Sequence, residues 1–144
     1  MDRQEPVTST REVPSLSRAL RTLRGAAQRA PGSWHESATR RFGIMVAWRV
    51  DRTGEEAVRV QRDLVRPYSE DLIAVARRLP TPVEVAEVEV DAPERTLVLR
   101  LRPRAAAARL LATCGRCRRP RRPLQPLFGD RGLCAACATA PPRA

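Results

Sequence analysis

The chain has 144 residues and a formal net charge of +11, and 42% of its residues are hydrophobic but only 3% aromatic. That length accommodates one small domain, or one domain plus a minidomain, with a core built mainly from Val, Leu and Ala. No run approaches the roughly 20 apolar residues of a membrane span, and Met1–Thr10 carries Asp2, Glu5 and Pro6 with no apolar stretch after it, unlike a secretory leader, so the expectation is a soluble, cytoplasmic protein without a membrane partner.

The placement of charge says more than its total. Residues 1–41 carry +4, residues 42–94 carry −4, and residues 95–144 carry +11, with Asp130 as the one acid of that last stretch. Every basic residue is Arg. GC-rich coding, which also favours Ala, Pro and Gly, explains that choice, so it is the position of the Arg residues that carries information.

Residues 1–14 are polar, contain Pro6 and Pro14, and are expected to form a disordered tail. From Ser15, a suitable N-cap, Leu16, Ala19, Leu20, Leu23, Ala26 and Ala27 recur at helical spacing with Arg18, Arg21, Arg24 and Arg29 between them. This predicts a basic amphipathic helix over 15–31, ended by Pro31-Gly32. Such a helix can lie on a membrane or a nucleic acid, and more often docks on its own domain. His35, the one histidine, stands between Trp34 and Glu36 and reads as a surface residue in a loop.

Residues 41–104 form the predicted core domain. Phe42, Ile44, Val46, Trp48 and Val50 alternate at the period of a half-buried strand. Asp51-Arg52-Thr53-Gly54 supplies a turn, and Val58, Val60 and Leu64 continue as the return strand. Ser69 is the expected cap of a helix to Leu79, with Glu70 and Asp71 in its first turn and Arg77 and Arg78 in its last, as the helix dipole favours. Val83–Val90 and Thr96–Leu101 predict a second hairpin, and the alternation slips at Ala86-Glu87, where a bulge is expected. Glu84, Glu87, Glu89, Asp91 and Glu94 read as a solvated face. The predicted fold class is α+β, a small antiparallel sheet with one packed helix in the order β-β-α-β-β. A short Ala/Leu linker helix over 105–113 then leads to a C-terminal cysteine module, 114–137, and a tail, 138–144.

The chemistry resides in Cys114-Gly-Arg-Cys117, sixteen intervening residues, and Cys134-Ala-Ala-Cys137. Two residues between paired cysteines form a tight knuckle, so both sulfurs can face one ion, and this spacing is a zinc signature. Gly115 can relax the first knuckle, and Gly129 and Gly132 permit a turn before the second pair. Leu124, Leu127, Phe128 and Leu133 offer only a few apolar contacts, so metal binding is expected to supply much of the folding free energy. Disulfides, an iron–sulfur cluster and a redox dithiol are the competing uses of these cysteines; structural zinc, Zn2+, is the cofactor expected.

Residues 114–137 resemble the four-cysteine fingers of treble-clef or zinc-ribbon type, with spacing like that of GATA-type DNA-binding fingers and of the zinc modules of the DksA/TraR group. The likeness covers about 24 of 144 residues and implies a fold type and a closed zinc site. A long coiled coil precedes the finger in the DksA/TraR group, where this chain has hairpins.

Arg116, Arg118, Arg119, Arg121, Arg122 and Arg131 crowd around the cysteines. Four thiolates and one zinc carry −2, so neighbouring Arg compensates charge. The six Arg less Asp130 leave +5 between Cys114 and Cys137, and +3 after that correction. Arg100, Arg102, Arg104 and Arg109 extend the positive stretch. The expectation is a nucleic-acid-binding zinc protein, for DNA or RNA, in a regulatory or accessory role. The alternative is an adaptor that binds a protein partner through the acidic α+β domain and the finger. A closed four-thiolate site has no open coordination position, and no phosphate loop or nucleophile–base pair accompanies it, so neither catalysis nor a small-molecule substrate is expected.

Overall fold

The computed structural model describes residues 13–41, 43–63, 65–104, 113–121 and 125–140. Phe42, Leu64, Arg109, Arg122 and Leu124, residues 1–12 and 141–144 of the expected tails, and 105–112 of the expected linker helix lie outside the described residues. The described elements are α1 (Leu16–Arg29), β1 (His35–Ala38), β2 (Ile44–Val50), β3 (Glu56–Arg62), α2 (Tyr68–Arg78), β4 (Val83–Asp91), β5 (Thr96–Pro103) and a single-turn α3 (Ala135–Ala138). The five strands form one antiparallel sheet in the order β1-β2-β3-β5-β4, an α+β architecture.

Relative to the expected β-β-α-β-β order, the sheet gains a strand and a second packed helix. β1 is that strand: His35 pairs with Trp48 and Ala38 with Met45, so His35 lies in a strand rather than a loop, its Nε2 2.9 Å from the Ala30 carbonyl oxygen. Four mostly polar residues carry no periodicity of their own, and β1 exists because the edge of β2 supplies its hydrogen-bond partners. The second packed helix is α1. Ser15 Oγ accepts from Arg18 N at 3.2 Å, and Leu16, Ala19, Leu20, Leu23 and Ala27 are buried on one stripe, as residues three and four apart must be.

The alternation in β2 and β3 puts Val46, Trp48, Val58 and Val60 in the core together with Leu97 and Leu99 of β5. Trp48 is fully buried, so its indole N–H needs a partner; it donates to Glu56 Oε1 at 2.8 Å. Arg24 grips both oxygens of the same carboxylate at 2.9 Å, which ties α1 to the β2–β3 hairpin. The register of β4 shifts between Val85 and Glu87, the bulge the broken alternation predicts. Beyond it Val88 and Val90 pair with Leu99 and Leu97 and pack against the core, while Glu87 and Glu89 face solvent.

α2 starts one residue before the expected cap. Pro67 occupies the N-cap position and Ser69 lies inside the first turn, with no side-chain cap hydrogen bond. Asp71 does more than complement the dipole. It is wholly buried, with Arg66 Nη2 at 2.9 Å, Arg62 Nη1 at 3.3 Å and Arg41 Nε at 3.8 Å from its carboxylate. Arg62 is itself only 4% exposed and lies over the Tyr68 ring at 4.2 Å. A buried carboxylate is tolerable only when paired and hydrogen-bonded; here it pins the β3–α2 connection.

The opposite sheet face carries Glu36, Met45, Arg49, Arg59, Gln61, Arg100 and Glu89, the polar face common in antiparallel sheets. Arg49 and Arg59 place their guanidiniums 4.5 and 4.7 Å from the Trp34 ring centroid.

Candidate metal centre

Two small loops build the cysteine site. In the first, Thr113 bridges to Pro120, Cys114 N donates to the Arg119 carbonyl at 3.0 Å, and Arg118 N donates to the Cys114 carbonyl at 3.1 Å. In the second, Phe128 and Leu133 exchange both backbone hydrogen bonds at 2.7 and 2.8 Å. Gly129 and Gly132, at φ +72° and +62°, turn that loop in a region closed to most side chains. Cys134 then stands at the N-cap of α3, and Cys137 falls within its single turn.

The loops cross at Gly115. Its N–H donates to the Gly132 carbonyl at 3.0 Å, and a Cβ at this position would lie 2.1 Å from the Arg131 carbonyl oxygen. Gly115 is therefore required by the close approach of two backbones, not by the flexibility of its knuckle.

The crossing brings Cys114, Cys117, Cys134 and Cys137 together, every sulfur within 4.8 Å of the others. Sulfurs at the corners of a tetrahedron with metal–sulfur bonds of ~2.3 Å are about 3.8 Å apart; Cys117 and Cys134 Sγ stand 3.9 Å apart. All four cysteines are unbridged; Cys114 is buried and Cys117 exposed. The residues thus fit a single metal ion held by four sulfurs.

The electrostatics reflect how closely the four sulfurs are packed. Burial raises the pKa of the Cys114 thiol, but the backbone N–H groups of Cys117, Cys134 and Arg116 outweigh burial and lower it from the ordinary 9.0 to about 6. Those three donors lie 3.3–3.4 Å from its sulfur. The Cys137 thiol is pushed up to about 12, first by burial and then by its contacts with the other three cysteines. Four sulfurs this close cannot all ionise unaided, because each added thiolate repels the rest. A divalent cation removes that obstacle and deprotonates its ligands outright.

The site is joined to the sheet domain. Phe128 is 4% exposed and Ala135 8%, both within the core cluster, and Ala138 packs beside them. A Cβ on Gly129 would lie 3.2 Å from the Ala86 carbonyl, so the second loop seats against the β4 bulge. Arg102 bridges the two parts, pairing with Glu84 on the sheet at 2.8 Å and with Asp130 in the module. In the sequence Phe128 reads as a local contact of the module, whereas the structure places it in this seam. The signal was an aromatic in a segment otherwise too polar to need one.

Of the Arg residues expected around the site, Arg118, Arg119, Arg121 and Arg131 are exposed. Arg116 is half-buried and its Nη1 lies 3.4 Å from the Cys137 carbonyl oxygen, spanning the two pairs. Arg122 lies outside the described residues. Among the described residues, no helix is long and apolar enough to cross a membrane. Compared with family models, curated proteins and solved structures, the chain matches none, so no family match supports the likeness to a particular finger type.

Proposed function

We propose that this chain is a non-enzymatic zinc protein that binds nucleic acid through its Arg-rich C-terminal module, in a regulatory or accessory role. Zinc is the ion that four thiolates in a tetrahedron suit best, and a cluster of several irons would hold the sulfurs further apart than 4.8 Å. With four protein ligands the metal has no open position, so its role is structural. The second cysteine pair at the start of a helix supports the treble-clef form.

The observation that carries the nucleic-acid reading is the exposure of Arg118, Arg119, Arg121 and Arg131 on the segment that holds the whole of the chain's excess positive charge. Charge compensation of a thiolate site uses donors directed at the sulfurs or their carbonyls, as Arg116 is. Exposed guanidiniums beyond that need are the footprint of a polyanion.

The test is duplex binding across a salt series, with and without a zinc chelator. The expected result is affinity that falls steeply with salt and is lost with the metal. Binding that ignores both salt and chelator overturns the reading; recovery of a stoichiometric protein partner, with no nucleic-acid affinity, favours the adaptor instead.

A further inference from the structure

Among the described residues the module displays exposed guanidiniums, but neither an exposed aromatic ring nor a helix long enough to enter a groove. Phe128, the sole aromatic residue from Thr113 onward, is 4% exposed inside the core cluster and is not available for stacking, the chief source of single-strand affinity. α3 is one turn of four residues, Ala135–Ala138, with neither the length nor the side chains of a helix that probes a major groove.

What the surface offers is a run of guanidiniums. Arg119 and Arg121 line a crevice together with Ile73 of α2, and Arg77, also exposed, stands one turn further along that helix face. Arg118 adds a backbone observation. It holds φ +66° at the end of the first knuckle, a conformation that costs a non-glycine residue roughly 1–2 kcal/mol and that glycine would adopt freely. Strained conformations cluster at functional positions, and this side chain is exposed.

Resting on the nucleic-acid reading above, we infer that the module binds the phosphate backbone of a duplex without regard to base sequence, with Arg118 as a principal phosphate contact. A duplex presents one negative charge per ~1.7 Å of axis, the dense array that guanidiniums without stacking partners exploit best.

The test is fluorescence anisotropy of the zinc-loaded full chain with three probes of equal length: two duplexes of opposed base composition, and oligothymidylate. The two duplexes should bind within about 3-fold of each other, because a single misread base pair already costs ~1–3 kcal/mol in a base-reading protein. Oligothymidylate should bind at least about tenfold more weakly. The log–log salt slope on duplex should lie near −3 to −5, at about −0.9 per phosphate contact. Arg118→Gly should raise the melting temperature yet weaken duplex binding and reduce that slope by about one contact; Arg119→Ala should reduce it similarly without the gain in stability. A preference of tenfold or more between the duplexes overturns the inference. So does thymidylate binding as tight as duplex binding, or an unchanged slope in both variants. Failure of all three probes to bind defeats the nucleic-acid reading itself, and this inference with it.

Discussion

In the sheet domain Val46, Trp48, Val58, Val60, Leu97 and Leu99 are completely removed from water, drawn from three adjacent strands. In the metal module Phe128 and Ala135 are buried as members of the same core cluster as the sheet residues. The first region is stabilised by apolar burial, at roughly 25 cal/mol per Å². Among its described residues the second adds only Cys114 to Phe128 and Ala135 as a buried hydrophobic side chain, and its loops are joined by two short bridges and four convergent sulfurs. With the proposed zinc in place, one chain would use both ways of stabilising a fold of this size, coupled by the seam through Phe128, Ala135 and Gly129.

Removing the metal should separate the two regions most sharply. Chelation, or Cys114→Ser, should abolish amide-exchange protection over 113–121 and 125–140 while β2, β3 and β5 stay protected. Structural zinc contributes apparent free energies of ~10–16 kcal/mol to finger peptides, far more than a single side-chain substitution costs. Protection in the module that persists in the chelated chain, measured by hydrogen exchange, would show that burial alone suffices there.

Asp71→Ala is the counterpart inside the sheet domain. It leaves Arg62, 4% exposed, without the carboxylate it faces at 3.3 Å, and breaking a buried pair from one side costs about 3–5 kcal/mol. Urea unfolding should show that loss with zinc content unchanged at one per chain. A cost under about 1 kcal/mol would mean that water reaches the cluster and that the pair is effectively a surface one.

Phe128→Ala attacks the seam. Truncating a buried Phe costs roughly 3 kcal/mol or more, and because this ring sits between the regions, the variant should lose both thermal stability and zinc affinity. A competition titration against a chromophoric chelator reads the second effect. Loss of stability with no change in zinc affinity would show that the module folds around its metal independently of the sheet.

The alternation from Ile44 to Val50 and the slip at Ala86 foretold strands and bulge, because period two is imposed by the pleat. β1 was hidden because His35–Ala38 has no pattern of its own and is a strand only by virtue of β2. The cysteine spacing foretold the cluster, since knuckle geometry is local. The reason for Gly115 was hidden, since it depends on the carbonyl of Arg131 from the other loop. Asp71 read as a dipole partner because its position in the first turn is local information, whereas its burial under Arg41, Arg62 and Arg66 is created by packing.

The smallest expected effect is at Arg102, which joins the regions through charge rather than burial. Its side chain is 34% exposed and its guanidinium is shared between Glu84 and Asp130, the latter's side chain 79% exposed. Pairs this wet contribute about 0.2–1 kcal/mol, because solvent screens them and two long side chains must be ordered. Arg102→Ala should therefore lower the stability of the zinc-loaded chain by no more than about 1 kcal/mol, and a double-mutant cycle with Asp130→Ala should give a coupling inside the same range. Raising salt should shrink that coupling further. A coupling above about 2 kcal/mol would make the ion pair, not Phe128 and its apolar neighbours, the main fastening between sheet and module.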